Sequence, residues 1–349
     1  MRCTSRNESQ RYRRHRRNRR SRRRRVRRFI LAIVLVIIVA VTSVLGVMSY
    51  RDSKRNYTAE YERAAYNSGL YQGELFAEHL CVASTDVALD GFTDNTGLHA
   101  AGLFDVDKGQ VLYGYHLFDQ LYPASTTKIM TAYVALKYGN LNDTVTVSEH
   151  ATDLEWDSSV CWLQTGDTLS LYDLLCGLLL QSGNDAGIAI AEHVAGSEEE
   201  FVSMMNEEAA KMGATGTHFT NPHGLQDVEH YTTAYDLYLM FYTALQDERF
   251  QEILEMDSYT VTITGADGAQ RTLEWSPTNY YATGEAQAPE GVQVLGGKTG
   301  TTDEAGSCLV LYSRDMEEHP YISVVMGADE KTVLYDEMTA LLASGIVNR

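Results

Sequence analysis

The stretch Tyr122–Tyr138, YPASTTKIMTAYVALKY, decides the fold, because it encodes both a helix and the chemistry at its start. Pro123 keeps the chain ahead of it out of a helix, apolar residues recur at Ile129, Ala132, Tyr133 and Leu136, and Gly139 ends the pattern. This predicts a buried helix over 125–138. Residues three apart share a helical face, so Lys128 stands one turn from Ser125 and reaches its hydroxyl. A serine hydroxyl is a poor nucleophile until a neighbour accepts its proton, and a lysine does so only when burial or a nearby cation lowers its pKa. The helix N-terminus brings partial positive charge and free N–H groups to Ser125, which favour a developing oxyanion.

Two further motifs follow in order. Ser182-Gly-Asn184 lies between the apolar run Leu174–Leu180 (LLCGLLL) and Asp185–Ala195 (DAGIAIAEHVA), which predicts a corner between two helices that projects both side chains into a cleft. There Ser182 can relay a proton to a leaving amine and Asn184 can donate to a substrate amide. A helix cap is the noncatalytic alternative for this tripeptide. Lys298-Thr-Gly300 lies within Val294–Thr302 (VLGGKTGTT), the pattern of an edge strand whose glycines let a substrate backbone lie alongside. Lys298 and Thr299 are then placed to bind an anion, and Lys298 supplies the cation near Lys128. Each tripeptide is weak alone; their order describes a serine acyl-transfer site.

Around these landmarks the pattern is α+β. Residues 97–115 alternate as a hairpin about 107–110. Residues 201–212 and 233–245 read as helices, the latter opened by Thr233-x-x-Asp236, a capping-box start. Residues 259–264 and 271–275 flank a Gly-Ala-Asp-Gly turn, and 308–313 with 321–326 add strands. The chain beyond residue 72 has no Pro-rich or low-complexity break and no repeat, which suits one large domain or two joined lobes.

The stretches Tyr122–Thr131, Leu180–Ala186 (LQSGNDA), Phe219–Leu225 (FTNPHGL) and Gly297–Thr301 (GKTGT) resemble the serine-type D-alanyl-D-alanine carboxypeptidases, the low-molecular-mass penicillin-binding proteins. The resemblance covers roughly 73–346. It implies a DD-peptidase/β-lactamase-like fold, an antiparallel sheet flanked by helices with a mostly helical second lobe. It implies removal of the terminal D-Ala from peptidoglycan stem pentapeptides through an acyl-enzyme on Ser125, with Lys128, Ser182 and Asn184 as the other catalytic residues. Lys298, Thr299, Gly300 and Thr301 would bind substrate, the N–H groups of Ser125 and Thr301 would form the oxyanion hole, and β-lactams would be covalent inhibitors. The family also holds the substrate carboxylate with a basic residue near the domain's end, for which Lys331 is the candidate. No cofactor is implied.

A D,D-endopeptidase acting on cross-links and a noncatalytic wall- or β-lactam-binding protein remain alternatives. A class A β-lactamase would need an E-x-x-x-N loop, and none lies between Asn184 and Lys298. The chain ends 49 residues after Gly300, so the β-rich domain and C-terminal anchor of familiar members are not expected.

Residues 1–28 hold fifteen Arg against one Glu, and 29–48 are apolar and uncharged. Twenty helical residues span about 30 Å, the thickness of a bilayer core. The expectation is a cytoplasmic basic arm (1–28), a retained signal-anchor helix in the cell membrane (29–48), a stalk (49–72) and an extracellular catalytic domain (73–349). Residues 29–349 carry 14 Lys and Arg against 46 Asp and Glu, so this part is not expected to bind nucleic acid, and a small positive pocket around Lys298 would sit in a negative surround. The histidines show no metal-ligand spacing, so no metal site is expected, and His223 reads as a loop-structuring residue. Tyr280 and Tyr281 are candidates for the cleft wall. Cys176 and Cys308 lie in apolar segments and read as buried thiols, with a Cys161–Cys176 bridge as the alternative.

Overall fold

The computed structural model describes residues 41–47, 50, 79–92 and 97–347. The arm, spanning helix and stalk predicted over 1–72 lie outside them apart from 41–47 and 50, which are helical and exposed. Among the described residues no helix is long and apolar enough to cross a membrane. The chain divides into units 1–75 and 76–349, and the second holds all the elements below.

The predicted hairpin forms from β1 (Ala100–Asp105) and β2 (Gln110–Tyr115). The chain then enters a helical lobe through α1 (Lys128–Tyr138), which is buried on nearly every side and so carries no single apolar stripe. Strand β3 (Thr144–Thr146) and α2 (Glu149–Thr152) lead to β4 (Thr168–Ser170) and α3 (Leu171–Cys176). Helices α4 (Asn184–Ala195) and α5 (Glu198–Met212) follow. At α6 (Ala234–Ala244) the expected capping box is half made. Thr233 Oγ1 accepts from Asp236 N at 3.0 Å, but the Asp236 carboxylate turns away to accept from Gly216 N and Thr217 Oγ1 and so pins the 213–217 loop. After α7 (Glu248–Leu254), strands β5 (Tyr259–Thr264) and β6 (Gln270–Trp275) flank the expected turn.

Strands β3, β4, β5 and β6 pair in that order as a small sheet. The first two have three residues each, too few to show alternation in the sequence. Arg271 of β6 bonds both carboxylate oxygens of Asp167, which is 1% exposed, and so clamps the strand to the segment ahead of β4.

Past α8 (Tyr280–Thr283) come β7 (Val292–Thr302), β8 (Gly306–Asp315), β9 (Pro320–Ala328) and α9 (Lys331–Leu342). The large sheet is antiparallel with order β2-β1-β9-β8-β7. Its central strands are buried almost without a break because both faces are covered. Alternate residues sort to two cores. Val310, Tyr312, Ile322 and Val324 join the helical lobe, whereas Leu309, Leu311, Tyr321 and Val325 pack with Leu334, Met338 and Leu341 of α9. The third motif lies on the edge strand β7, as expected.

Candidate active site

Ser125 sits on a short 3-10 turn, Ala124–Thr127, that feeds directly into α1. The predicted helix therefore begins as α-helix only at Lys128, because Ala124 takes a positive φ of 47° and the turn is closed by side chains. Thr126 Oγ1 donates to Pro123 O at 2.7 Å, and Thr127 Oγ1 donates to Ala124 O at 2.8 Å while meeting His230 Nε2 at 2.8 Å. Gly224, with φ of 89°, lies so close behind the turn that a Cβ there would collide with the Ala124 carbonyl.

Lys128 is fully buried, and its Nζ has three partners: Ser125 Oγ at 2.8 Å, Asn184 Oδ1 at 2.7 Å and His223 O at 2.7 Å. Burial, and then the charge of Lys298, hold its pKa well below the ordinary lysine value. A neutral amine has two N–H bonds and one lone pair. The Asn184 and His223 oxygens can only accept, so they consume both N–H bonds and leave the lone pair facing the Ser125 hydroxyl. The geometry thus suits the neutral form of Lys128, which can accept a proton from Ser125.

The second motif begins where a π-turn, Gly177–Gln181, ends in Ser182 at φ 62°, ψ 34°. The buried Lys298 Nζ donates to Ser182 Oγ at 2.9 Å and to Thr299 O at 2.9 Å. Burial brings the Lys298 pKa down to about 7. With its Oδ1 engaged by Lys128, Asn184 keeps its amide NH₂ as a donor at the cavity wall.

On β7, Gly300 abuts the nucleophile turn: a Cβ there would lie 2.8 Å from Ser125 N. Thr278 Oγ1 meets Thr299 Oγ1 at 2.5 Å. Ser125, Ser182, Asn184, Thr299, Gly300, Thr301 and Lys331 all line one cavity of about 220 Å³, with Lys128 and Lys298 buried beneath it. Lys331 opens α9 with its Nζ 5.9 Å from the Tyr280 ring centre, and Tyr280 stacks on Tyr335 at 4.6 Å. Tyr280 lines the cavity, while Tyr281 bonds Thr339 behind it.

Residues 94–330 match the peptidase S11 family, D-alanyl-D-alanine carboxypeptidase. The chain belongs to this family. It is 37% identical over 257 residues to D-alanyl-D-alanine carboxypeptidase DacC of Escherichia coli and 34% identical over 252 residues to DacF of Bacillus subtilis. Each alignment covers 70% of this chain and 60% of the relative, so the chain spans about three fifths of the length of these curated relatives. The crystal structure of the Streptomyces K15 DD-transpeptidase matches with a TM-score of 0.68 at 26% identity, over 73% of this chain and 99% of that one. The DD-peptidase α+β fold implied by the motifs is the fold observed.

Within the S11 frame, sequence reasoning assigned no role to Asp185, which directly follows Asn184. Its buried carboxylate accepts from Cys161 N, Leu163 N and Ala186 N, and so binds the 161–163 segment to the second motif. Its only sequence signal was its place beside Asn184. His223 structures its loop as expected: Leu225 N donates to its Nδ1, and burial beside Lys128 lowers its pKa to about 3, too low for an effective base. The four described cysteines, Cys81, Cys161, Cys176 and Cys308, are free and buried, so the alternative bridge is absent.

Two lysines lowered by burial give a signed pH dependence. With Ser125 as nucleophile and Lys128 as its base, acylation needs Lys128 neutral, so the expected rate climbs as Lys128 loses its proton. With Lys298 as the site's cation, the expected rate falls again near pH 7, where Lys298 loses the charge behind its bond to Ser182. Lys298→Arg, which keeps its charge, moves the alkaline limb up by more than two pH units. Penicillin acylation rates from pH 5 to about 10 check this; an alkaline limb unmoved by the substitution would assign it to another group.

Proposed function

We propose that this chain is a membrane-anchored serine D-alanyl-D-alanine carboxypeptidase that trims the terminal D-Ala from peptidoglycan stem peptides. The observation that carries the reading is the Lys128 amine, whose two acceptor partners aim its lone pair at Ser125 Oγ. Ser125 Oγ attacks the penultimate D-Ala carbonyl carbon and its proton passes to Lys128. The N–H groups of Ser125 and Thr301 take the oxyanion, and Thr299 with Lys331 hold the terminal carboxylate. Collapse breaks the C–N bond, and the D-Ala amine leaves with a proton relayed through Ser182. Water, losing its proton to Lys128, then cleaves the ester and frees Ser125. β-Lactams enter by the same attack, and their ring-opened acyl group stays tethered to Ser125. The Arg-rich arm and the apolar 29–48 segment support an anchor with the catalytic domain outside.

The test is mass spectrometry of the full chain in detergent with a diacyl-D-Ala-D-Ala tripeptide or with penicillin, beside Ser125→Ala. D-Ala release and a slowly hydrolysed penicillin adduct on Ser125 are expected. Rapid penicillin turnover would point to a lactamase, and neither adduct nor release to a noncatalytic binder.

A further inference from the structure

We propose that His230 is a positioning residue for acyl transfer: its ring joins the turn that carries Ser125 to the loop that carries the His223 carbonyl, and so holds Ser125 and Lys128 at reacting distance. The proposal rests on the acyl-transfer reading and extends it to a side chain outside the reacting groups. His230 is 1% exposed, and the two nitrogens of its ring bond two different elements. Nε2 meets Thr127 Oγ1 at 2.8 Å, and Nδ1 accepts from Thr220 N at 3.1 Å.

The bonding fixes which nitrogen carries the proton. Thr127 has one hydroxyl hydrogen, which it gives to the Ala124 carbonyl at 2.8 Å, so Nε2–H donates to Thr127 Oγ1. Nδ1 is then the acceptor that the Thr220 amide meets. Burial lowers the pKa of the ring to about 4, which keeps this neutral form at neutral pH. The ring also packs edge-to-face with Phe219, 5.5 Å from centre to centre, and His230 N donates to Asp227 O at 3.1 Å, so both bonds start from a fixed point.

Each element that His230 joins bears on one half of the reacting pair. Thr127 stands between Ser125 and Lys128 in the chain, and at the entry to the same turn Leu121 exchanges two backbone bonds with Thr232. Thr220 opens the segment 220–225. There Asn221 Oδ1 accepts from His223 N and Gly224 N, Asn221 Nδ2 donates to Leu225 O, and Pro222 O accepts from Thr131 Oγ1 of α1 at 2.6 Å. The His223 carbonyl that accepts from Lys128 Nζ belongs to this segment. Loss of the His230–Thr127 bond frees the turn to shift against that carbonyl, and the 2.8 Å contact between Lys128 Nζ and Ser125 Oγ loosens.

The full chain in detergent is assayed for D-Ala release from a diacyl-D-Ala-D-Ala tripeptide. His230→Asn keeps an acceptor near the Nδ1 position but is too short to reach Thr127, whereas His230→Gln puts an amide N–H near the Nε2 position. A misplacement of about 1 Å costs about 10²-fold, and the bonds at Leu121 and Thr131 limit the shift, so His230→Asn should lower kcat about tenfold and change KM by less than about twofold. His230→Gln should stay within about threefold of wild type. In a Thr127→Val background, where the bond is already gone, His230→Asn should cost less than about twofold more. Equal kcat for the folded Asn and Gln variants overturns the proposal, as do losses that multiply in the double variant or a loss confined to KM. If His230→Asn does not fold, Thr127→Val beside Thr127→Ser makes the comparison from the other end of the bond: a loss of about tenfold is expected for Val alone, and equal rates overturn the proposal. A wild-type chain that releases no D-Ala would instead overturn the acyl-transfer reading beneath it.

Discussion

Lys128→Ala slows acylation of Ser125 by about 10³-fold while the domain stays folded. The substitution removes the only group shown within hydrogen-bond reach of Ser125 Oγ among the described residues. It also strands two buried acceptors, Asn184 Oδ1 and His223 O, each at a cost of about 1–3 kcal/mol unless water enters. The melting temperature therefore drops by several degrees, at roughly 2–4 °C per kcal/mol for a domain near this size. Lys128→Arg fits the same logic, since a guanidinium keeps its proton and cannot act as a base. Time-resolved mass spectrometry of the penicillin adduct gives the rate. Acylation by Lys128→Ala within tenfold of wild type would remove Lys128 from the base role.

Gly224→Ala is the larger structural perturbation. The residue adopts φ of 89° and lies against the Ala124 carbonyl, so a methyl group meets both an unfavourable backbone region and backbone atoms that cannot give way. The nucleophile turn must shift for the chain to fold, and a loss above about 4 kcal/mol is expected, with Ser125 displaced in whatever protein remains. Gly268→Ala is the matched control. It has φ of 81° but no atom within 4 Å of the added Cβ, so it costs only about 1 kcal/mol. Thermal unfolding of the two variants separates collision from backbone strain, and equal losses would show that the packing behind Ser125 carries none of the effect.

The two variants mark the border between what is readable along the chain and what is not. Lys128 lies one turn from Ser125, and the hairpin over β1 and β2, the Thr233 cap and the glycine-rich edge strand are equally short-range. Each rests on spacing within a few residues and is legible before any packing is known. The Gly224 collision joins residues 100 positions apart, and nothing in FTNPHGL reveals which surface that glycine faces. Strands β3 and β4 escaped notice for a related reason: three residues carry no period, and their strand character comes from the neighbours they pair with.

By itself, the sequence determined the order of three polar motifs, the local elements that present them and the acyl-transfer chemistry those residue types can perform. Tertiary structure alone decided that Lys298 reaches Ser182 across 116 residues, that Asn184 and the His223 carbonyl turn the Lys128 lone pair toward Ser125, and that the Asp185 carboxylate ties Cys161 and Leu163 to the second motif. The physical reason is that spacing fixes neighbours within a turn, whereas desolvation and the direction of a lone pair depend on every atom packed around a group. The shifted pKa values of both lysines belong to the folded surroundings and to no stretch of chain.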